Sequence, residues 1–140
     1  MKLSLVLLII GISGCYAGAP KTVHIKGRLL CHGRPHEYAE LKLVHNSGIF
    51  NENLASVLSD PGGFFDTVAI DRRHGTRIRF WIYHTCWEKL YEPQKCSRLF
   101  TIDVPLVFVI PGNLPTKMWD MGEVNLEKWK HNEEYSPCQK

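Results

Sequence analysis

Arg77–Val109, RIRFWIYHTCWEKLYEPQKCSRLFTIDVPLVFV, is the stretch whose reading decides the fold. It reads as an antiparallel hairpin closed by its own disulfide. With Cys86 facing Cys96, the pairs that follow are His84 with Arg98, Ile82 with Phe100, Phe80 with Ile102 and Ile78 with Val104, so one face is almost wholly apolar. The same register sets Thr85 against Ser97, Tyr83 against Leu99, Trp81 against Thr101 and Arg79 against Asp103, a polar and aromatic face with one opposite-charge pair. A slip of one residue would scramble both faces. A sheet with one apolar face needs a second layer to cover it.

The flanking sequence supplies more strands and no long helix. Thr22–Cys31 alternates, with Val23, Ile25, Gly27, Leu29 and Cys31 on one side and His24, Lys26 and Arg28 on the other. Gly33-Arg34-Pro35 turns the chain into a second strand, Ala39–Leu43, which either pairs with the first or crosses to the other sheet. Residues 46–59 show no firm period and read as a loop with a short strand or turn of helix. Asp60-Pro61-Gly62-Gly63 is a strong turn, because proline fixes φ early and glycine accepts positive φ after it. Phe64–Ile70 follows as a strand, and 71–75 turns into the central hairpin. Pro105–Ile110 continues the apolar run, with Pro105 confined to an edge, a bend or a strand start. Gly122–Leu126 is the last strand, ahead of a polar tail. About seven strands with turns between them predict an all-β sandwich in one domain.

The N-terminus carries its own signal. Lys2, the apolar run Leu3–Ile12 and the small residues around Ala17 and Ala19 have the layout of a secretory signal peptide, too short to span a bilayer. The expected organisation is a leader over 1–17 and a β-sandwich domain over 18–140. Cleavage after Ala17 is favoured over Ala19, which would leave Pro20 first, and either cut removes Cys15. Ile12-Ser13-Gly14-Cys15 also resembles a bacterial lipobox. The secretory reading makes the protein extracellular and leaves Cys31, Cys86, Cys96 and Cys138, an even set that implies two disulfides. The hairpin register selects Cys86–Cys96 and leaves Cys31–Cys138.

The formal charge of +3, with no long basic run, excludes a nucleic-acid footprint. No Asn-x-Ser/Thr sequon is present. No Ser/His/Asp order, phosphate loop or nucleophile elbow appears, so no catalytic set is expected. His84-x-Cys86, with Cys31, His32 and His36, could be read as metal ligands, but zinc sites pair ligands at short spacing and exported cysteines are oxidised. No metal or cofactor is expected.

Taken together, Leu29-Leu30-Cys31 with Gly33-x-Pro35, Asp60-x-x-Gly63-x-Phe65, His84-x-Cys86, Cys96-x-Arg98, Ile102-x-Val104-Pro105, Asp120-x-Gly122-x-Val124-Asn125-Leu126 and Cys138 resemble the nematode transthyretin-like family. The resemblance spans the mature chain and implies a prealbumin-like sandwich, secretion and an extracellular role. It also weighs against the lipobox. A relative of transthyretin hydrolyses 5-hydroxyisourate with histidines, an arginine and a C-terminal Tyr-Arg-Gly-Ser. This chain ends Ser136-Pro137-Cys138-Gln139-Lys140, and His24 does not keep the enzyme's spacing to Gly33-x-Pro35. Hydrolysis is therefore not expected. Doubled glycine at Gly62 and the tryptophans Trp81, Trp87 and Trp119 depart from the family pattern.

The candidate binding surface is the outer face of the hairpin. Arg77, Arg79, Trp81 and Tyr83 project together, with Arg72 and Arg73 in the adjoining turn. The bland alternative is that a loop covers Trp81 and Tyr83 while Arg79 only pairs with Asp103. Three functions fit this surface: recognition of a cell-surface protein or extracellular ligand, bridging of an anionic lipid membrane to a receptor, and carriage of a small lipophilic molecule. None requires nucleic acid or integral membrane insertion.

Overall fold

The computed structural model describes residues 19–75, 77–87 and 97–128. The described residues form nine strands, β1 Lys21–Cys31, β2 Arg34–Pro35, β3 Glu40–Asn46, β4 Asn51–Leu58, β5 Phe64–Asp71, β6 Ile78–His84, β7 Arg98–Asp103, β8 Ile110–Pro111 and β9 Trp119–Asn125. Setting aside the two-residue strands β2 and β8 leaves the seven expected. They make two sheets. In the first, β1 is central, antiparallel to β2, β5 and β8 and parallel to β9. The second runs β4-β3-β6-β7, antiparallel throughout. The protein is an all-β sandwich.

The central hairpin has the register its faces demand. Arg79 pairs with Asp103, Phe80 with Ile102, Ile82 with Phe100 and His84 with Arg98, and the Val104 N–H donates to the Ile78 carbonyl. Ile78, Phe80, Ile82 and Phe100 are buried against Val23, Ile25 and Leu29 from β1 and Leu41 and Leu43 from β3. The Phe65 ring lies 5.6 Å from that of Phe80, joining the two sheets at their middle. The chain crosses between sheets after β2, since β3 lies beside β6 and not beside β1. Gly63 is obligatory in the 60–63 turn: its φ is +78°, and a Cβ there would meet the Leu29 carbonyl oxygen at 2.3 Å.

The disulfide differs from the hairpin reading. Cys31 is bonded to Cys86, with Cα atoms 5.7 Å apart, and this excludes both Cys86–Cys96 and Cys31–Cys138. The ladder stops at His84, and the Cys86 N–H turns back to the His84 Nδ1 at 3.0 Å. That turn leaves Cys86 fully buried in the core. Cys31 ends β1 in the facing sheet, so the bridge staples the two layers and not the two arms of one hairpin. Cys96, Cys138 and the leader 1–17 lie outside the described residues.

Two smaller expectations are also corrected, and one left open is decided. Residues 51–58 are a full strand, whose period was hidden because β4 is an edge strand and shows little alternation in burial. Of the places open to Pro105 the structure takes the bend: Leu106–Phe108 form a 3-10 turn with Leu106 and Val107 facing solvent, and the run ends in β8. The last strand begins three residues earlier than expected and pairs parallel to β1, with a register break between Lys26 and Arg28.

The staple closes a loop of 55 residues, and the chain-entropy relation assigns such a loop about 4 kcal/mol. Peptide mapping of the unreduced protein should therefore recover Cys31 linked to Cys86, and a Cys31→Ala, Cys86→Ala pair should lower the unfolding free energy by about that amount. Recovery of Cys86 linked to Cys96 would contradict the cross-sheet staple.

Candidate functional site

The residues chosen from the hairpin do not form one cluster. Arg79 donates from Nε to Asp103 Oδ1 at 2.9 Å, the pairing of the bland alternative. Trp81 and Tyr83 lie on the outer face, half-buried, with ring centroids 6.3 Å apart in an edge-on arrangement, and the Lys42 ammonium sits 5.5 Å above the Tyr83 ring. The Trp81 indole N–H is closed off from solvent and has no hydrogen-bond partner among the described residues. A buried unpaired donor costs about 1–3 kcal/mol, so this face is aromatic packing more than open hydrogen-bonding surface. Arg77 lies before β6 begins, exposed at the end of the sandwich.

That end gathers the other basic candidates. Arg72 and Arg73 follow β5 directly and are exposed, and the Arg73 guanidinium pairs with Glu52 at the start of β4. Arg72 and Arg77 have no ion pair among the described residues. The Arg73 N–H donates to Asp71 Oδ1 at 3.0 Å, and the Lys21 ammonium donates to the Gly75 carbonyl, so the arginine turn is held from two sides.

Sequence reasoning missed the apolar half of the same end. The β3–β4 turn presents Ile49 and Phe50, 83% and 74% exposed. The turn is built to do so: the Gly48 N–H donates to Asn46 Oδ1, the Phe50 N–H to Ser47 Oγ and the Ser47 N–H to the Phe50 carbonyl. Across the same sheet end, beyond β7, Leu106 and Val107 are 71% and 58% exposed. The Asn46 N–H bonds the Arg77 carbonyl and the Val104 N–H bonds the Ile78 carbonyl, which sets both apolar tips on either side of Arg77. Two large apolar residues between Gly48 and a polar strand were the available signal, lost when 46–59 was read as a loop.

The opposite end holds His32, His36 and His84. His32 Nε2 bonds the Trp87 carbonyl oxygen at 2.6 Å, and His84 lies buried with its ring edge-on to His36 at 6.0 Å. Cys31, His32 and Cys86 place their donor atoms within 4.8 Å of one another, but the two sulfurs are joined and are not thiolate ligands. His24, on the outer face of the first sheet, pairs with Asp66 at 2.6 Å. Beside it, Lys26, Arg28, Phe64, Asp66, Asp120 and Glu123 line an open groove of about 460 Å³ in which the cations lie near carboxylates or, for Arg28, over the Phe64 ring.

Fold and surface define a disulfide-stapled β-sandwich whose distinctive feature is an apolar and basic end, the anatomy of a binding module. The profile of the Transthyretin-like family matches residues 26–105, more than half of the sequence, and the chain belongs to that family. Transthyretin-like protein 2 of Caenorhabditis elegans is 26% identical over 119 residues, covering 79% of this chain and 78% of its own. Transthyretin-like protein 5 of the same organism is 28% identical over 130 residues, with 90% and 91% covered. Among solved structures, a 9R-lipoxygenase from Cyanothece aligns with 84% of this chain but 18% of its own, at 17% identity and a TM-score of 0.42, a likeness that carries no argument. Membership points to a binding-type function and names neither ligand nor partner. No helix among the described residues is long and apolar enough to cross a membrane.

His36 supplies a pH test of this region. Burial holds its pKa below the ordinary 6.5, against a smaller upward pull from the Glu37 carboxylate, and the Thr85 N–H approaches its Nε2 at 3.4 Å, as a neutral ring allows. A histidine with a lowered folded pKa contributes stability above about pH 6.5, and that stability is lost as the pH falls through the folded value. Urea unfolding of His36→Gln should therefore lose less stability between pH 7 and pH 5 than wild type does. Parallel curves for the two proteins would remove His36 from the account.

Proposed function

We propose that this protein is a secreted, non-enzymatic binding protein whose end surface docks on anionic lipid, leaving the hairpin's outer face for an extracellular or cell-surface protein. The observation that carries the proposal is the placement of Ile49, Phe50, Leu106 and Val107, all well exposed, around Arg72, Arg73 and Arg77 at one end of the sandwich. Large exposed apolar residues on soluble proteins mark interaction sites. Apolar tips enter the boundary between headgroups and acyl chains while adjoining arginines meet the negative surface, each basic residue adding about 1 kcal/mol. The aromatic face of Trp81 and Tyr83 points sideways from that end, so lipid and protein occupants would not compete. Carriage of a lipophilic molecule is less favoured, because the groove on the first sheet is open and lined with charge. The leader-like N-terminus and the disulfide support an extracellular address. Because the sequence lacks the Tyr-Arg-Gly-Ser of the hydrolase, purified protein should not turn over 5-hydroxyisourate above the uncatalysed rate.

The test is co-sedimentation of the oxidised mature protein with phosphatidylcholine vesicles, with and without phosphatidylserine. Binding should require the anionic lipid and weaken with salt. Arg72→Gln with Arg77→Gln should weaken it roughly thirtyfold, from about 2 kcal/mol lost. Ile49→Ser with Phe50→Ser should do so without changing the salt dependence. Glu52→Gln, which frees the Arg73 guanidinium, should strengthen binding. Equal affinity for both vesicle types, or none for either, would leave the protein-binding face as the surviving reading.

A further inference from the structure

The two halves of the docking end belong to different sheets. The apolar tip 47–50 grows from β3 and β4, while Arg72 and Arg73 follow β5 in the facing sheet, and no backbone ladder joins β3 to β5. What joins them is a side-chain pair. His45, next to last in β3, is 3% exposed, and Asp71, last in β5, is 0% exposed. His45 Nδ1 donates to Asp71 Oδ2 at 2.5 Å, and the other carboxylate oxygen, Oδ1, accepts the Arg73 N–H. One buried carboxylate thus holds the base of the apolar tip and the backbone of the arginine turn together. The turn also packs on the histidine ring: a Cβ at Gly75 would stand 3.4 Å from His45 Cε1, and the φ there is +107°.

We infer that His45 and Asp71 are positioning residues, a buried link that fixes the arginine turn relative to the apolar tip so that both meet one surface. The inference rests on the membrane reading proposed above. Stability alone does not call for such a pair, since well-packed apolar residues commonly replace buried hydrogen-bonded polar pairs at little cost. The other charged groups at this junction act on the surface. Arg73 pairs with the exposed Glu52 side chain, a kind of contact worth little, and the Lys21 ammonium reaches the Gly75 carbonyl. Arg72 lies exposed beside them. With the buried link in place, both loops are ordered before docking, and the ordering cost at the interface falls.

The test uses the oxidised full-length mature protein carrying His45→Gln, Asp71→Asn, or both. Hydrogen exchange read by mass spectrometry needs no ligand. Asp71→Asn should raise exchange in residues 46–52, and His45→Gln in residues 71–75, while 78–84 in the central hairpin is unchanged. The double variant should exceed neither single variant by much. At a temperature where all variants are folded, each substitution should weaken binding to phosphatidylserine vesicles about tenfold, the scale of ordering one or two side chains at an interface. Exchange that rises only beside the mutated residue, or evenly across the sandwich, overturns the link. Cross-loop exchange with unchanged vesicle affinity overturns its role in docking. If wild type does not bind the vesicles, the membrane reading falls and takes the docking role with it, and the exchange result still decides whether the two loops are linked.

Discussion

The constraint on which the rest of the structure depends is the apolar face of β6, where Ile78, Phe80 and Ile82 alternate with Arg79, Trp81 and Tyr83. Three large side chains on one face of a strand must be kept from water, each worth about 1.5–3 kcal/mol when buried. Within the sheet, β3 and β7 extend that face sideways with Leu41, Leu43 and Phe100, and only a second sheet can close it. That sheet is organised on β1, which offers Val23, Ile25 and Leu29 at matching intervals and leaves Gly27 open where the Phe65 ring passes. A Cβ at Gly27 would stand 2.8 Å from that ring. Packing therefore selects a glycine in mid-strand, where conformational preference alone would disfavour it.

Closure of the two layers also accounts for the disulfide. Once both inner faces are apolar, a cysteine at the end of β1 and another just past the end of β6 reach the same rim of the core from opposite sheets. A cross-sheet bridge joins elements that share no backbone hydrogen bonds, so it adds a connection the ladders do not provide. A bridge within the hairpin would have duplicated one.

The layers, the strand count and the hairpin register were legible because period-two alternation is a property of residue type alone. The pairing of Cys31 was legible in the same alternation: it shares the inward side of β1 with Leu29, and Cys86 shares the inward side of the hairpin with Ile82. What misled was the assumption that a register extends past the end of its strands. Cys96 stands opposite Cys86 only if the ladder continues beyond His84, and whether a ladder continues is decided by three-dimensional packing. Residues 51–58 escaped for a different reason. An edge strand with little buried surface carries a weak pattern, and its sharpest feature, Ile49-Phe50, is a turn whose exposure no periodicity predicts.

The same physics separates scaffold from surface. Residues inside the sandwich are fixed by what they must cover, whereas Ile49, Phe50, Leu106 and Val107 stand exposed among the described residues and lie outside the core. Their exposure is not a by-product of weak structure, for the Ile49–Phe50 turn is closed by side-chain and backbone hydrogen bonds and the 106–108 turn follows a proline that fixes its entry. Ordered backbone that presents grouped apolar side chains suits a partner that covers them. With the neighbouring arginines, the proposed docking calls for a partner with negative charge at its surface and apolar matter beneath. An anionic membrane, the occupant proposed above, has both in that order.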